Sequence, residues 1–222
     1  RRPRITAPPR RTGGGRVPCR GLGGVLALLL LTGCAYYNTF YHARRFYSDA
    51  EKARETETRA TLTTAASAAP GGQGQGATRS NDLYKKSIEK CQKVLENFPG
   101  SRWEDDAYLL MAQAYYGKGD YLSARRELDR FGARFPQSDL LPEAVFWQGL
   151  TAFAQEDYSS AGTIWNGLLE KHPKYEGRER VEFHLAETLD RRKLTEEAVQ
   201  AYGAFLERHP KGAWSTDARI QL

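Results

Sequence analysis

Apolar and polar positions repeat along the chain with a period of 37 residues. Each copy carries a small residue, a large apolar residue four positions later and another apolar residue three positions after that. The four copies are Ser87, Cys91 and Val94; Ala124, Leu128 and Phe131; Ala161, Trp165 and Leu168; and Ala198, Tyr202 and Phe205. Spacings of i, i+4 and i+7 lie on one stripe of a helix. The pattern therefore predicts four equivalent amphipathic helices.

A proline ends each of these predicted helices. Pro99, Pro136, Pro173 and Pro210 each stand twelve positions after the small residue, and proline cannot continue an α-helix. Between the stops, second amphipathic stretches predict helices over 104–117, 141–154 and 178–191. Each repeat is thus a helical hairpin, and stacked hairpins bury a continuous core.

The repeat resembles the tetratricopeptide family. That family places a small residue, a large apolar residue four later and a proline eight beyond, which Ala124, Leu128 and Pro136 match. Gly119-Asp120-Tyr121 also resembles the entrance to the family's second helix. The resemblance implies an all-α fold, a right-handed solenoid of helical hairpins. The repeat is longer than the usual length of about 34 residues, and the extra residues follow the proline.

The first 33 residues differ from the repeats in charge and hydropathy. Seven arginines lie in this segment, and no Asp or Glu occurs before Asp49. An arginine-rich start followed by the apolar run 22–31 is typical of a secretory signal and is too short for a membrane span. Leu31-Thr32-Gly33-Cys34 resembles the lipobox of bacterial lipoproteins. The resemblance implies cleavage after residue 33 and a membrane anchor through lipid on Cys34.

Charge and motifs exclude several classes of function. The net charge of +6 comes from the seven arginines of residues 1–33, and the remainder carries −1. A near-neutral body lacks the basic surface that binds a phosphate backbone. The chain also lacks a nucleophile elbow, a phosphate-binding glycine loop and metal-binding His or Cys spacings. We therefore expect no enzyme activity or catalytic residues, no metal, no cofactor, no nucleic acid partner and no small-molecule substrate.

Four segments follow from these patterns. We expect a signal peptide at 1–33, a lipidated N-terminus and first helix at 34–58, a disordered insertion at 59–80, and a tetratricopeptide domain with a truncated last repeat at 81–222. The insertion is rich in Thr, Ala, Gly and Gln, a composition that cannot build a core. Tyr36 and Tyr37, close to the predicted lipid, fit either the membrane interface or a cap of the core.

In tetratricopeptide arrays the first helices of the hairpins line a concave groove. The resemblance implies such a groove here, and its middle helix is unusually apolar. Our candidate partner-binding residues are Phe146, Trp147, Leu150, Phe153 and Arg180. Such a groove would bind the apolar anchors of a peptide. The competing interpretation is that the apolar residues pack in the core.

A lipid-anchored solenoid of this kind resembles the BamD-like (YfiO) lipoproteins. The resemblance covers residues 34–222 and implies a scaffold on the periplasmic face of the cell outer membrane. Its implied partners are outer-membrane β-barrel assembly proteins or other envelope proteins. One alternative is a periplasmic repeat protein that coordinates envelope constriction or peptidoglycan synthesis, similar to the Tol-Pal-associated YbgF family. Another is the docking arm of a catalytic domain that follows Leu222.

Overall fold

The computed structural model describes residues 20–65 and 77–222, with side chains described from Asn38 to Thr63 and from Arg79 onward. Residues 1–19 of the predicted signal, residues 66–76 of the predicted insertion and the Cys34 side chain lie outside the described residues. The described parts are all-helical, as predicted. The helices are α1 (Arg20–Ala65), α2 (Ala77–Asn97), α3 (Glu104–Gly117), α4 (Tyr121–Arg134), α5 (Leu141–Ala154), α6 (Tyr158–Lys171), α7 (Arg178–Arg191), α8 (Thr195–Arg208) and α9 (Ser215–Ile220).

The helical array belongs to one unit of the chain. The chain divides into Arg1–Ala35 and Tyr36–Leu222, and the second unit contains the array. From α2 onward each helix packs against the next one along the chain, as expected for successive hairpins. Helices α3, α5 and α7 have the bounds that the sequence predicts. Within the described residues, no helix combines the length and apolarity that a membrane crossing requires.

Local sequence explains how the second helices begin. The Asp120 carboxylate accepts a hydrogen bond from the backbone N–H of Ser123 at 3.1 Å. Asp157 accepts the equivalent bond from Ser160 at 3.0 Å. These aspartates satisfy one of the free N–H groups at the helix start. Gly119 precedes the first cap with φ of 81°, a backbone conformation that glycine adopts without strain.

The repeated stripe residues form the core. Leu128, Phe131, Trp165 and Tyr202 are each at most 1% exposed, although they belong to three different hairpins. Cys91 is likewise buried, and burial raises the pKa of its thiol, which keeps the group protonated. The thiol is therefore a core group rather than a reactive one.

Close approach between helices depends on small residues. The Trp165 indole N–H donates to the Phe146 carbonyl at 3.2 Å across the α5–α6 contact. Gly149 makes room for this ring, because a Cβ at that position would collide with the indole. Position 149 is therefore glycine because a larger residue would leave no room for the Trp165 ring.

The first hairpin extends into the predicted disordered insertion. Residues 59–65 continue α1 and residues 77–80 begin α2, so both helices extend into the segment for which the composition predicts disorder, and the disorder itself stays a prediction. Extending an existing helix adds a hydrogen bond for each residue that is ordered. Ser80 is buried, its hydroxyl donates to Glu57 at 2.6 Å, and its backbone N–H donates to the same carboxylate at 3.2 Å. This contact closes the hairpin at the base of the insertion.

Candidate functional site

The first helices α3, α5 and α7 meet through side chains that form one face. The rings of Tyr116 on α3 and Trp147 on α5 pack edge to face, with 5.3 Å between centroids. The Phe153 ring of α5 lies 6.3 Å from the His184 ring of α7. We call this surface the first-helix face and define it by Tyr116, Glu143, Trp147, Leu150, Phe153, Arg180 and His184. It contains four of the five residues predicted for the groove, Trp147, Leu150, Phe153 and Arg180.

The predicted groove residues divide into two groups. Phe146 is only 3% exposed, so its ring lies in the core and its predicted contact with a partner stays a prediction. The Arg180 guanidinium covers its ring at 3.9 Å from the centroid, and Trp165 stacks on it at 6.2 Å. Trp147, Leu150 and Phe153 are partly buried against the same cluster. Their role in binding a partner stays a prediction.

Glu143 is the centre of a polar network on this face. Its carboxylate pairs with the Arg180 guanidinium, and it accepts hydrogen bonds from the Tyr175 hydroxyl at 2.6 Å and the Trp147 indole N–H at 2.9 Å. The network therefore joins α5, the loop after α6, and α7. Burial, reinforced by Glu143, raises the pKa of Tyr175, so the phenol remains a donor. These contacts restrain Trp147 and Arg180.

The loops that follow the prolines connect neighbouring repeats. Ser138 donates its hydroxyl to Asp105 at 2.7 Å, just as Tyr175 donates to Glu143. In the next repeat the backbone N–H of Trp214 donates to Glu179 at 3.3 Å. The loops after Pro136, Pro173 and Pro210 thus each bind a carboxylate near the start of the preceding first helix. The sequence signal for this role is the extra length of the loop, but spacing alone does not identify the acceptor.

His184 lies in an aromatic cluster rather than in a metal site. Its ring stacks on Trp165 at 5.4 Å and lies 5.4 Å from Trp214. Its Nδ1 is 3.0 Å from the Glu187 carboxylate. One carboxylate and one imidazole do not complete a metal coordination shell, and the described residues contain no group of three His, Cys, Asp or Glu side chains able to hold a metal ion. The arrangement packs α7 against its neighbours.

Two clefts border the array. One of about 610 Å³ lies between the start of α5 and the loop after α6, and it reaches Glu143 and Tyr175. The other, of about 620 Å³, lies along α1. Its described lining includes aromatic and basic side chains, among them Phe40, Tyr41, Arg44, Arg45, Lys52 and Trp103. Sequence reasoning did not select these basic residues, because their spacing is that of an ordinary solvated helix surface.

Two family models match the chain. Residues 72–161 match the family described as YfiO, outer membrane lipoprotein, and residues 180–212 match a tetratricopeptide repeat family. The first match begins before α2 and includes the whole of α3 and α5; the second includes most of α7 and all of α8. The matches confirm the predicted resemblance to BamD-like tetratricopeptide proteins. No curated protein sequence matches the chain.

Solved structures resemble the chain at low sequence identity. A crystal structure of a variant of the nearly identical TPR-like repeats of a putative kinesin light chain from Podosopora anserina is 14% identical, with a TM-score of 0.50 and coverage of 78% of each chain. A crystal structure of MamA is 18% identical, with a TM-score of 0.47 and coverage of 63% of this chain and 77% of that one. At such identity the kinesin light chain likeness shows the fold alone, which is the tetratricopeptide fold.

Proposed function

We propose that this BamD-like tetratricopeptide protein is a non-catalytic scaffold of the outer membrane that faces the periplasm. In this proposal lipid on Cys34 anchors the chain, and the first-helix face binds protein partners in the assembly of β-barrel outer-membrane proteins. The observation that carries the proposal is the match of residues 72–161 to an outer membrane lipoprotein family. The matched segment contains α3 and α5, which supply most of the first-helix face.

The chemistry of the face fits binding of an apolar segment of a protein. Trp147, Leu150 and Phe153 are partly buried, so each retains some accessible apolar surface. Their packing restrains the side chains, which lowers the conformational entropy lost on binding. Glu143 neutralises Arg180. The pair therefore orients a partner through hydrogen bonds rather than selecting it by net charge.

The proposal is tested by affinity purification of the full-length lipoprotein from detergent-solubilised membranes. We expect a β-barrel assembly protein to copurify, and the double variant Trp147→Ala/Phe153→Ala to reduce its recovery by about tenfold or more, as for central interface residues. Leu122→Ala is the matched control, because Leu122 is 76% exposed and lies on α4, outside the face. Its recovery of the partner should equal that of the native chain.

The anchor is tested separately with Cys34→Ala. Mass spectrometry of the native protein should find acyl groups on an N-terminal Cys34, and the variant should leave the membrane fraction. Recovery of Tol-Pal or peptidoglycan-synthesis proteins in place of β-barrel assembly proteins would overturn the assembly role and indicate envelope coordination. Loss of partner recovery together with a large fall in melting temperature would show that Trp147 and Phe153 are core residues.

A further inference from the structure

Positive charge is concentrated in the first hairpin. Residues 34–97 contain ten Lys and Arg against seven Asp and Glu, a net charge of +3. Residues 98–222 contain sixteen Lys and Arg against twenty Asp and Glu, a net charge of −4. The region that begins at Cys34 is therefore polarised, and its positive part adjoins the predicted lipid attachment site in sequence.

Part of this charge lies on one exposed edge of α1. Tyr41, Arg44, Arg45, Ser48 and Lys52 are all exposed, and their spacing of three to four residues places them on one stripe of the helix. Trp103 borders the same cleft. We call this set of six residues the α1 basic edge.

The basic side chains of this edge are weakly paired. Arg45 approaches Asp49 at 3.9 Å, but the two side chains are 63% and 43% exposed, and such pairs contribute little. Arg44 and Lys52 form no ion pair with any residue that the structure describes. The nearby acid Asp106, on α3, interacts with Arg44 only at longer range. The edge therefore presents positive charge to its surroundings.

Aromatic side chains accompany these charges. The Tyr41 side chain is half exposed. The Trp103 ring stacks on Phe40 at 5.6 Å and carries the Arg102 guanidinium at 4.6 Å from its centroid. Lys and Arg are attracted to anionic lipid headgroups, and Tyr and Trp rings are favoured at the membrane interface. The edge combines both kinds of side chain.

We propose that the α1 basic edge lies against the headgroups of an anionic phospholipid membrane, as a second contact beside the lipid on Cys34. This inference rests on the proposed lipid anchor. Cys34 precedes Tyr41 by seven positions, and even a fully extended chain of that length spans no more than about 25 Å. The anchor thus raises the effective concentration of the edge at the bilayer, so weak electrostatic contacts are sufficient to keep the edge against the headgroups. The second contact fixes how the array is oriented on the membrane.

The test uses the full-length lipidated chain carrying Ser48→Cys, labelled with an environment-sensitive dye. Cys91 is fully buried and Cys34 is acylated in the proposed form, so the label is specific. The protein is reconstituted into vesicles of phosphatidylcholine alone or with one third phosphatidylglycerol. On the anionic vesicles we expect quenching by an aqueous quencher to fall by about half, and the protection to disappear at high salt, because screening shortens the range of the attraction.

Matched variants separate the edge from the anchor. A label at Ser159, which is exposed on α6, should be quenched equally on both vesicle types. The triple variant Arg44→Gln/Arg45→Gln/Lys52→Gln should remain anchored but lose the protection of the Ser48 label. Equal quenching of that label on both vesicle types, in a chain with acyl groups confirmed by mass spectrometry, would overturn the inference. Absence of the acyl groups would instead overturn the anchor, and a Ser48→Cys chain that also carries Cys19→Ser and Cys34→Ser, labelled and added to preformed vesicles, would then test the edge alone.

Discussion

At the residue scale, Phe146 and Trp147 are sequence neighbours on α5 with different surroundings. Phe146 is covered by Arg180 and Trp165, whereas Trp147 contacts Tyr116 and donates to Glu143 at the first-helix face. The apolar character of α5 extends around much of the helix, so the sequence does not distinguish a core ring from a surface ring. Phe146 is a core ring because Arg180, which lies on α7, covers it.

These two residues should respond differently to truncation. Phe146→Ala is expected to lower the free energy of unfolding by about 3–5 kcal/mol, the usual cost of a large cavity in a core. Trp147→Ala should cost less, because its partly exposed ring leaves a site that water can fill. Urea denaturation of both variants measures the difference. Equal losses would show that the face is part of the core.

The buried tyrosines predict loss of stability at high pH. Burial, together with a hydrogen bond to Glu51, raises the pKa of Tyr84 above its ordinary value of 10. The unfolded chain then releases the phenolic proton before the folded chain does, so the stabilisation is complete below pH 10 and is lost progressively above it.

Melting temperatures measured from about pH 8 to about pH 12 check this expectation. Tyr84→Phe should flatten the alkaline decline, because phenylalanine has no proton to release. Tyr41→Phe, which alters a half-exposed side chain, serves as the control and should follow the native curve. An alkaline decline unchanged by Tyr84→Phe would contradict the assignment.

At the element scale, two glycines within helices have opposite roles. A Cβ at Gly149 on α5 would collide with the Trp165 indole, whereas a Cβ at Gly132 on α4 would meet nothing within 4 Å. Gly149→Ala is therefore expected to destabilise the protein by about 1–3 kcal/mol through overpacking. Gly132→Ala should stabilise it by about 0.5–1 kcal/mol, since glycine weakens a helix interior. Thermal and urea denaturation of the two variants measure the change in the free energy of unfolding. A change in the same direction for both variants would be inconsistent with this packing.

The sequence predicts the middle elements better than the first hairpin. Repeated prolines and the 37-residue period determine α3, α5 and α7, because each stop signal acts through local backbone chemistry. Composition assigns residues 59–65 and Ser80 to a disordered segment. The order of Ser80 depends on tertiary contact, as its bonds to Glu57 show. Such contacts have no period and leave no mark on the hydrophobic pattern.

At the scale of the whole molecule, the Glu143 network joins successive repeats. In a repeat array, stability is a sum of repeat and interface contributions, so a weakened interface separates the unfolding of the two halves. The lengthened loops are visible in the sequence as extra residues. Their partners Asp105, Glu143 and Glu179 follow only from the stacking of the hairpins.

Glu143→Gln is expected to lower the free energy of unfolding by about 1–3 kcal/mol, because Arg180 and Tyr175 lose a charged acceptor. The urea transition should also broaden as cooperativity between the repeats falls. Asp49→Asn, which removes the acid of an exposed ion pair, should leave midpoint and slope nearly unchanged. A sharp, unshifted transition in Glu143→Gln would show that the network does not couple the repeats.

The contact between Glu57 and Ser80 has a practical consequence. Because these residues close the first hairpin with two hydrogen bonds, the register of α1 against α2 is set by residues outside 66–76. A guest domain spliced into residues 66–76 would therefore enter and leave the host at neighbouring points. A fluorescent protein at this position would mark the protein in living cells while both Cys34 and the repeat surface keep their native sequence.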